Sequence, residues 1–322
     1  MMKSKLVQLL RENQGFFLSG EKISIELNCS RTAVWKHVNA LRKEGYVIEA
    51  VSNKGYQLMQ NEDLLSKHAI LSRVKDNPLF HHIAFYDSVT STNTIAHKLI
   101  NEDVKEGVVV VADEQTAGKG RLGRKWASPK RSAIAMSIIL KPKLDFRQAP
   151  QLTLVAAVAV TRAVKIVTGL ELEIKWPNDL LIKGKKVCGI LTEMQADSDR
   201  IQSIIIGIGL NVNQQHFSEE LVDLATSLQK EGDRVFDRAE LIAAILKEFT
   251  WLYETYITKG FSFIKPLWEA HEITIGKEVV ARSASNTKTG IAIGIDEEGV
   301  LLLQDDDQDV HRIYSADISF EN

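Results

Sequence analysis

The sequence predicts an α+β protein of several domains: an N-terminal winged helix-turn-helix, a central mixed sheet carrying helices, and a C-terminal β-barrel. Three observations carry that expectation. At 322 residues the chain is too long for one ordinary core. Its first stretch, to about residue 60, runs helix, helix, turn, helix, hairpin, the order of a winged helix. Strands and helices then alternate irregularly, which favours a mixed sheet over a doubly wound parallel one, before a tail of short strands.

Composition limits the function classes. Apolar content of 44% and charged content of 25% are those of a soluble globular protein. A formal charge of −2 gives no global reason to bind nucleic acid, so such binding must be local. The opening "MMKSKLVQLLRENQG" has too short an apolar run for a signal peptide. The most apolar stretch, "LTLVAAVAV", is about half a membrane span and runs into Arg162 and Lys165, so it reads as a buried helix with no membrane partner. Cys29 and Cys188 lie far apart without metal-type spacing. They are expected to be buried reduced thiols of a cytoplasmic protein.

In the first domain, expected over 1–62, "SKLVQLLREN" and "EKISIELN" are short amphipathic helices. "CSRTAVWKHVNALRKEG" comes next, with Ser30 as N-cap, Val34, Val38 and Leu41 at i, i+4 and i+7, and Gly45 as stop. Its other face carries Arg31, Thr32, Lys36 and Asn39. "YVIEAVSNKGYQLM" then makes two strands around an Asn-Lys-Gly turn, placing Lys54 at the tip of a wing. A third helix that enters the major groove and a wing that touches phosphate account for these charges. A solvated face on a small interaction domain is the alternative. Trp35 fits either a core or a groove contact.

The central domain, expected over 63–272, opens with a linker and a short helix. "HHIAFYDSVTSTNTIAHKLINE" gives a strand, a hydroxyl-rich turn, and a helix with Ile95, Leu99 and Ile100 inward. A helix start needs one cap, but "SVTSTNT" supplies six polar residues, a surplus suited to a small ligand, with plain capping as the alternative. "AGKGRLGRKW" contains a literal G-x-G-x-x-G in Gly118, Gly120 and Gly123. A dinucleotide site would need a helix opening on it. The chain continues instead as "RKWASPKRS", with Pro129 where that helix would run. Lys119, Arg121, Arg124 and Lys125 also supply far more cation than a helix-dipole site uses. Further on come the buried strand "SAIAMSIIL", a long buried helix, a Trp-Pro-Asn-Asp corner, a hairpin at Lys183-Gly184, the strand "SIIIGIGLNVN" and an amphipathic helix.

The chemistry at these strand ends is cationic. Lys119, Arg121, Arg124, Lys175 and Lys186 stand with Asn178, Asp179 and Asn211, and no nucleophile or metal motif accompanies them. Such a set holds a nucleotide triphosphate and neutralises charge while an acid attacks its α-phosphate, which is catalysis by positioning and electrostatics.

In order and interval, "STN", "DEQTAGKGRLGRKW", "KWPNDL", "KKVCGILTE" and "IGIGLNVN" resemble the biotin–protein ligases. The likeness covers essentially the whole chain and, with the winged helix in front, points to the branch that also represses biotin genes. It implies a central domain related to class II aminoacyl-tRNA synthetases and an SH3-like C-terminal barrel over 273–322. "IGKEVVARSASNTKTGIAIGIDEEGVLLLQDDDQDVHRIYSADIS" fits that barrel independently. The implied reaction turns biotin and ATP-Mg2+ into biotinyl-5′-AMP, then passes biotin to a lysine of the biotin carboxyl carrier protein of acetyl-CoA carboxylase. Implied partners are operator DNA and a second copy of the chain when adenylate is bound, with the adenylate as corepressor.

By the same resemblance Ser91, Thr92, Asn93 and Gln115 match the biotin end, and Lys119, Gly120 and Arg121 a mobile loop that folds over the adenylate. Arg124 and Trp126 match its closing half near the nucleotide. Lys186 matches the lysine on the biotin carboxylate and α-phosphate, so Lys186 and Arg121 are the expected catalytic pair. Asn178 and Asn211 match the nucleotide side, with Asp179 toward magnesium. Lys119 stands where the family usually has arginine, and lysine lacks the bidentate fork. Two other readings compete: a biotin-sensing repressor whose catalytic half has decayed, against which the intact cation set stands, and a lipoate or octanoyl transferase of the same fold, in which a DNA-binding front is out of place.

Overall fold

The computed structural model describes residues 2–59, 63–74, 77–80, 82–197, 200–283 and 286–320. The boundary expected near residue 62 lies outside the described residues. The winged helix is present as α1 (Met2–Glu12), α2 (Gly20–Glu26), α3 (Arg31–Lys43), β1 (Ile48–Val51) and β2 (Gly55–Leu58). Ser19 and Ser30 cap α2 and α3 by accepting from the backbone N–H of Lys22 and Ala33. The predicted apolar stripe is the core: Val34, Val38 and Leu41 are fully buried against Leu6, Leu10 and Ile23. Leu18 bridges to Tyr56, adding a third backbone segment to the wing. Gly55 permits this approach, because at φ 111° a Cβ there would lie 2.0 Å from the Leu18 carbonyl oxygen.

After α4 (Lys67–Leu71) the central domain builds β3 (His82–Tyr86), α5 (Thr92–Asn101), β4 (Val108–Ala112), β5 (Gln115–Lys119), β6 (Lys125–Ser128) and β7 (Ala133–Leu140). It continues with α6 (Gln151–Thr168), β8 (Glu173–Lys175), β9 (Asp179–Ile182), β10 (Lys185–Ala196), β11 (Ile201–Asn211), α7 (Leu228–Gly232), α8 (Arg238–Lys259) and α9 (Lys265–Glu269). Seven strands form one sheet in the order β3-β4-β7-β11-β10-β9-β8. It is mixed, with β3 and β4 parallel and the other neighbours antiparallel. The hairpin between β9 and β10 turns at Lys183 and Gly184, both at positive φ, as the Lys-Gly pair predicts.

One sheet face packs on α6 and α8. Alternate residues such as Met136, Ile138, Ile204, Ile206 and Ile208 join this core. The other face carries α5, whose Ala96 and Ile100 meet Val108, Val110, Ile139 and Ile205. Ile95 and Leu99, expected inward, are half-buried instead, since Asn93, Ala96 and Ile100 take the inner face. The apolar run 146–168 is long and apolar enough to cross a membrane, and longer than its most apolar segment suggests. Here α6 is buried on nearly all sides between α8 and the sheet.

The C-terminal strands β12 (Glu278–Arg282), β13 (Thr287–Ile295), β14 (Leu301–Gln304), β15 (Val310–Ile313) and β16 (Asp317–Phe320) form an antiparallel sheet ordered β15-β14-β13-β12-β16. The Trp176 indole N–H reaches the Gly299 carbonyl at 3.1 Å, and the Gln151 amide donates to the Glu297 carbonyl at 2.8 Å. Both cysteines are free; Cys188 is buried as expected, but Cys29 is only half-buried.

The short helix expected at the start of the central domain joins the winged helix to it. Leu6, Leu10, Ile70 and Phe249 belong to one continuous apolar cluster, because α4 packs on both α1 and α8. Beside it lies a buried ionic cluster. Arg238, 1% exposed, donates to Asp63 at 2.7 and 2.9 Å and to Asp113 at 2.7 Å. Asn213 donates to the second Asp63 oxygen at 2.9 Å. Burial raises the Asp63 pKa against the opposing pull of Arg238. Removing the shared cation leaves two carboxylates buried without it, which typically costs about 3–5 kcal/mol. Arg238→Leu is expected to lower unfolding free energy by that amount in urea titration. A loss below about 1 kcal/mol, on the scale of an exposed ion pair, overturns the assignment.

Candidate active site

The period of two that fills one sheet face with isoleucine leaves the other face, beyond the part under α5, almost bare where β10 and β11 meet. Opposite Ile206, Ile208 and Leu210, strand β11 presents Gly207, Gly209 and Asn211; beside it β10 presents Gly189 and Leu191. Gly189 and Gly209 are register partners, so backbone alone floors this patch. The Trp126 ring lies across it: a Cβ at Gly209 would fall 2.4 Å from the indole nitrogen, and one at Gly189 3.2 Å from the ring. A Cβ at Gly207 would fall 2.4 Å from Asn93 Oδ1. Over this floor is a cavity of about 390 Å3. Ser91, Thr92, Asn93, Gln115, Lys119, Gly120, Arg121, Arg124, Trp126, Asn178, Asp179, Lys186 and Asn211 line it; of the residues expected at these strand ends, Lys175 does not.

One end is built from hydroxyls and amides. Ser91 occupies the N-cap of α5 yet makes no capping bond. That task passes to Gln115, whose Oε1 accepts from the Thr92 backbone N–H at 2.8 Å and its hydroxyl at 3.1 Å. The Gln115 amide also donates to Ser128 at 3.1 Å. Capping therefore does not explain the Ser91 hydroxyl. Ser137, not singled out from the sequence, lies 2.7 Å from Thr92 Oγ1 and 2.6 Å from Asn93 Oδ1. Its signal was a lone hydroxyl among the apolar residues of β7. Asn93 Nδ2 donates to Glu193 at 2.7 Å, which fixes the orientation of its amide.

The other end is cationic. No helix comes after the glycine loop; β5 and β6 make a hairpin around a short 3-10 turn over Arg121–Gly123. Arg121 donates to Asn178 Oδ1 at 2.8 Å, to Ser315 Oγ at 2.8 Å and to the Ala316 carbonyl at 3.3 Å. Burial lowers its pKa, while Asp317 and Asp179 pull the other way. Arg124 pairs with Asp317. The C-terminal domain thus contributes a carboxylate to the cavity wall, a contact between segments far apart in sequence. Lys186 Nζ lies 2.6 Å from Asp179 Oδ1 and 5.5 Å from the centre of the Trp126 ring. Asn178 and Asn211, both lining the cavity, donate to the carbonyls of Ile190 and Thr226 at 3.0 and 3.1 Å, and Asn178 Oδ1 accepts from Arg121. Lys175 does not line the cavity; it sits 5.3 Å from the Phe320 ring, with its pKa lowered by burial.

Among the described residues no three His, Cys, Asp or Glu side chains come together as a metal cage. A magnesium ion carried on a triphosphate keeps several waters and needs only one or two carboxylates. Asp179, beside Lys186 at the cavity wall, fits as such a single ligand.

A second candidate surface is the outer face of α3. Arg31, Thr32, Lys36 and, on the wing, Lys54 are exposed; Asn39 is half-buried and accepts from Arg42 at 3.4 Å. Arg31 pairs with Glu21 of α2 at 2.8 Å. Trp35 is 56% exposed, so it belongs to this face and not to the core.

Three family models match the chain: the HTH domain over residues 3–57, the biotin/lipoate A/B protein ligase family over 85–211, and the biotin protein ligase C terminal domain over 274–321. The bifunctional ligase/repressor BirA of Bacillus subtilis (strain 168) is 48% identical over 319 residues, spanning 98% of each chain. Its namesake from Escherichia coli (strain K12) is 30% identical over 94% of this chain and 92% of that one. The fold is similar to the biotin protein ligase from Aquifex aeolicus in complex with biotin and ATP, at 33% identity and a TM-score of 0.66, over 75% of this chain and 99% of that one. These matches set aside the lipoate transferase reading. With a winged helix in front, a cation-lined cavity on a glycine floor in the middle and the matching barrel behind, the chain belongs to the bifunctional biotin–protein ligase and repressor family.

Proposed function

We propose that this chain activates biotin with ATP and transfers it to a lysine of the biotin carboxyl carrier protein of acetyl-CoA carboxylase. It further uses the adenylate as corepressor at a biotin operator. The carrying observation is the convergence of Lys119, Arg121, Arg124 and Lys186 on one cavity whose far end is neutral and polar. A neutral bicycle with one carboxylate needs few cations to bind; a triphosphate approached by that carboxylate needs several. This favours an active ligase over a decayed sensor. We assign 1–62 to DNA binding, 63–272 to catalysis and 273–322 to the barrel, with the protein working in the cytoplasm.

Ser91, Thr92 and Asn93 orient the biotin head, with Gln115 bracing the turn that carries them. The ring system lies beside Asn93 and the Trp126 ring, which rest on the glycines, and its carboxylate arrives beside Lys186. Attack of that oxygen on the α-phosphorus expels pyrophosphate and gives biotinyl-5′-AMP. Lys186 opposes the charge that builds as the two anions approach, and Asp179 holds its ammonium in place. Asp179 would hold a magnesium ion carried with ATP, which would offset charge on the departing phosphates. Arg121, Arg124 and Trp126 close over the adenylate, with Asn178 and Asn211 on the nucleotide side. In the second step the acceptor ε-amine attacks the anhydride carbonyl, AMP leaves, and an amide forms. Pyrophosphate release with biotin but not with lipoate tests the reaction; equal rates overturn the substrate assignment.

Lys186→Ala is expected to slow pyrophosphate release on the order of a hundred- to thousand-fold, the usual loss when one charge-stabilising contact is removed. A near wild-type rate excludes Lys186 from the mechanism. Arg121→Gly is expected to raise adenylate dissociation more than it slows synthesis, because the hairpin loses its bonds to Asn178 and Ser315 together with one phosphate contact. Trapping assays with labelled biotin read both rates; slower synthesis with unchanged adenylate lifetime contradicts the role.

One winged helix makes few phosphate contacts, so tight operator binding calls for two copies on a palindromic site. Operator affinity is expected to rise with biotin plus ATP-Mg2+ above that with biotin alone; equal affinities overturn the corepressor role. Lys36→Ala is expected to weaken operator binding and reduce the salt slope by about 1, leaving pyrophosphate release unchanged. An unchanged salt slope removes Lys36 from the interface.

A further inference from the structure

Glu193 closes the "KKVCGILTE" stretch, and nothing in the adenylation chemistry uses it. It follows Gly189 and Leu191 on β10, and its register partner is Ile205 of the apolar cluster under α5. A carboxylate is a costly neighbour for that cluster unless its oxygens are used. Glu193 Oε2 accepts from Asn93 Nδ2 at 2.7 Å, and His97 Nε2, one turn further along α5, lies 3.5 Å from the same oxygen. Asn93 is buried, whereas the Glu193 side chain is half-buried, so one oxygen of a partly solvated carboxylate is spent on a buried amide. That contact starts a chain of forced proton directions. An ionised carboxylate only accepts, so the Asn93 nitrogen must face Glu193 and its oxygen must face Ser137, 2.6 Å away. An amide oxygen also only accepts, which commits the single Ser137 hydroxyl proton to it. That proton cannot serve Thr92 Oγ1, 2.7 Å from Ser137, as well. Thr92 therefore spends its own proton, on Ser137 or on Gln115 Oε1 at 3.1 Å.

We propose that Glu193 is a positioning residue that sets the proton direction of the whole hydroxyl end, so that this end selects a head group that donates N–H bonds. The inference rests on the ligase reading above. Glu193 does not line the cavity and acts only through Asn93. With the protons of Thr92 and Ser137 spent inside the network, and those of Asn93 turned to Glu193 and the Leu191 carbonyl, Thr92 and Asn93 offer the cavity oxygen lone pairs. Ser91 differs: it makes no capping bond, so its hydroxyl can donate. A cyclic urea, with two N–H donors flanking one carbonyl, is the complement of acceptors beside one donor. Turning the Asn93 amide over would bring its oxygen against the Glu193 carboxylate, two acceptors at 2.7 Å. The carboxylate forbids that state; a neutral side chain there would not.

The test compares wild type with Glu193→Gln, Asn93→Asp and the double variant, each in the full chain. Glutamine keeps the shape but both donates and accepts, so it no longer enforces a direction. Asn93→Asp sets two carboxylates against each other. In the double variant donor and acceptor change places, and the oxygen at position 93 again accepts from Ser137. Calorimetric titration with biotin alone reads head-group affinity without nucleotide, and pyrophosphate release reads kcat and KM for biotin and for ATP. Glu193→Gln is expected to weaken biotin binding roughly tenfold, the lower end for one hydrogen bond to a charged group. KM for biotin should rise with it, while kcat and KM for ATP stay near wild type, the signature of lost uniform binding. Asn93→Asp should lose more, and the double variant should bind better than Asn93→Asp alone, a rescue that independent losses cannot produce. Wild-type biotin affinity in folded Glu193→Gln overturns the proposal. So does a double variant no better than Asn93→Asp. A loss confined to thermal stability reduces Glu193 to a surface partner of His97 and overturns it too. Conversely, a wild type that binds biotin through Glu193 but releases no pyrophosphate overturns the ligase reading alone.

Discussion

The site depends on one steric constraint, the absence of side chains where β10 and β11 lie side by side. Gly189 and Gly209 face each other across the register, and no side chain fits at either without moving the Trp126 ring. A sheet normally covers both faces with side chains. Here the face toward α6 and α8 carries most of the isoleucines that stabilise the domain, so the opposite face can stay low at the β10–β11 glycines, while elsewhere it packs under α5. Stability and binding are thereby assigned to alternate residues of the same strands. A shift of register by one would put isoleucine in the cavity and glycine in the core.

Around this floor the polar groups are held mostly by one another. Thr92, Asn93, Ser137, Gln115 and Glu193 form one connected set at the hydroxyl end. Each amide or hydroxyl is oriented before a ligand arrives, which is what preorganisation requires. The cationic end is braced differently. Lys186 leans on Asp179 within the sheet, whereas Arg121 and Arg124 reach across to Ser315 and Asp317 of the C-terminal domain. The glycine hairpin is therefore positioned by contacts between domains as well as by its own two strands, and the barrel forms part of the cavity wall.

The N-terminal domain is tied to the same framework. Through α4 its apolar core runs into that of the central domain, and Arg238 gathers Asp63 and Asp113 into a buried ionic cluster. Asn213, two residues beyond Asn211 of the cavity, donates to Asp63. The chain that connects the winged helix to the central sheet is thus hydrogen-bonded just beyond the strand end that lines the cavity, a short physical route between the two.

Local signals in the sequence determined a great deal. Caps such as Ser30, the turn at Lys183-Gly184 and the stripe of Val34, Val38 and Leu41 are set by neighbours within a few residues, so pattern alone locates them. The ordered motifs placed thirteen residues in one cavity, because the glycines, the cations and the Ser-Thr-Asn turn are residue types their chemistry demands. The features that sequence missed were set by distant contacts. Ile95 and Leu99 pack only at the edge of the α5 cluster, whose centre is taken by Ala96 and Ile100. Lys175 left the cation set for Phe320. Ser137 and Asp317 joined the site although each looks ordinary among its neighbours in the chain. Which of two cations faces a ligand, and which carboxylate answers it, depends on distances between segments up to 195 residues apart. Periodicity reports only which side of an element faces inward; the packed tertiary structure decides what meets it there.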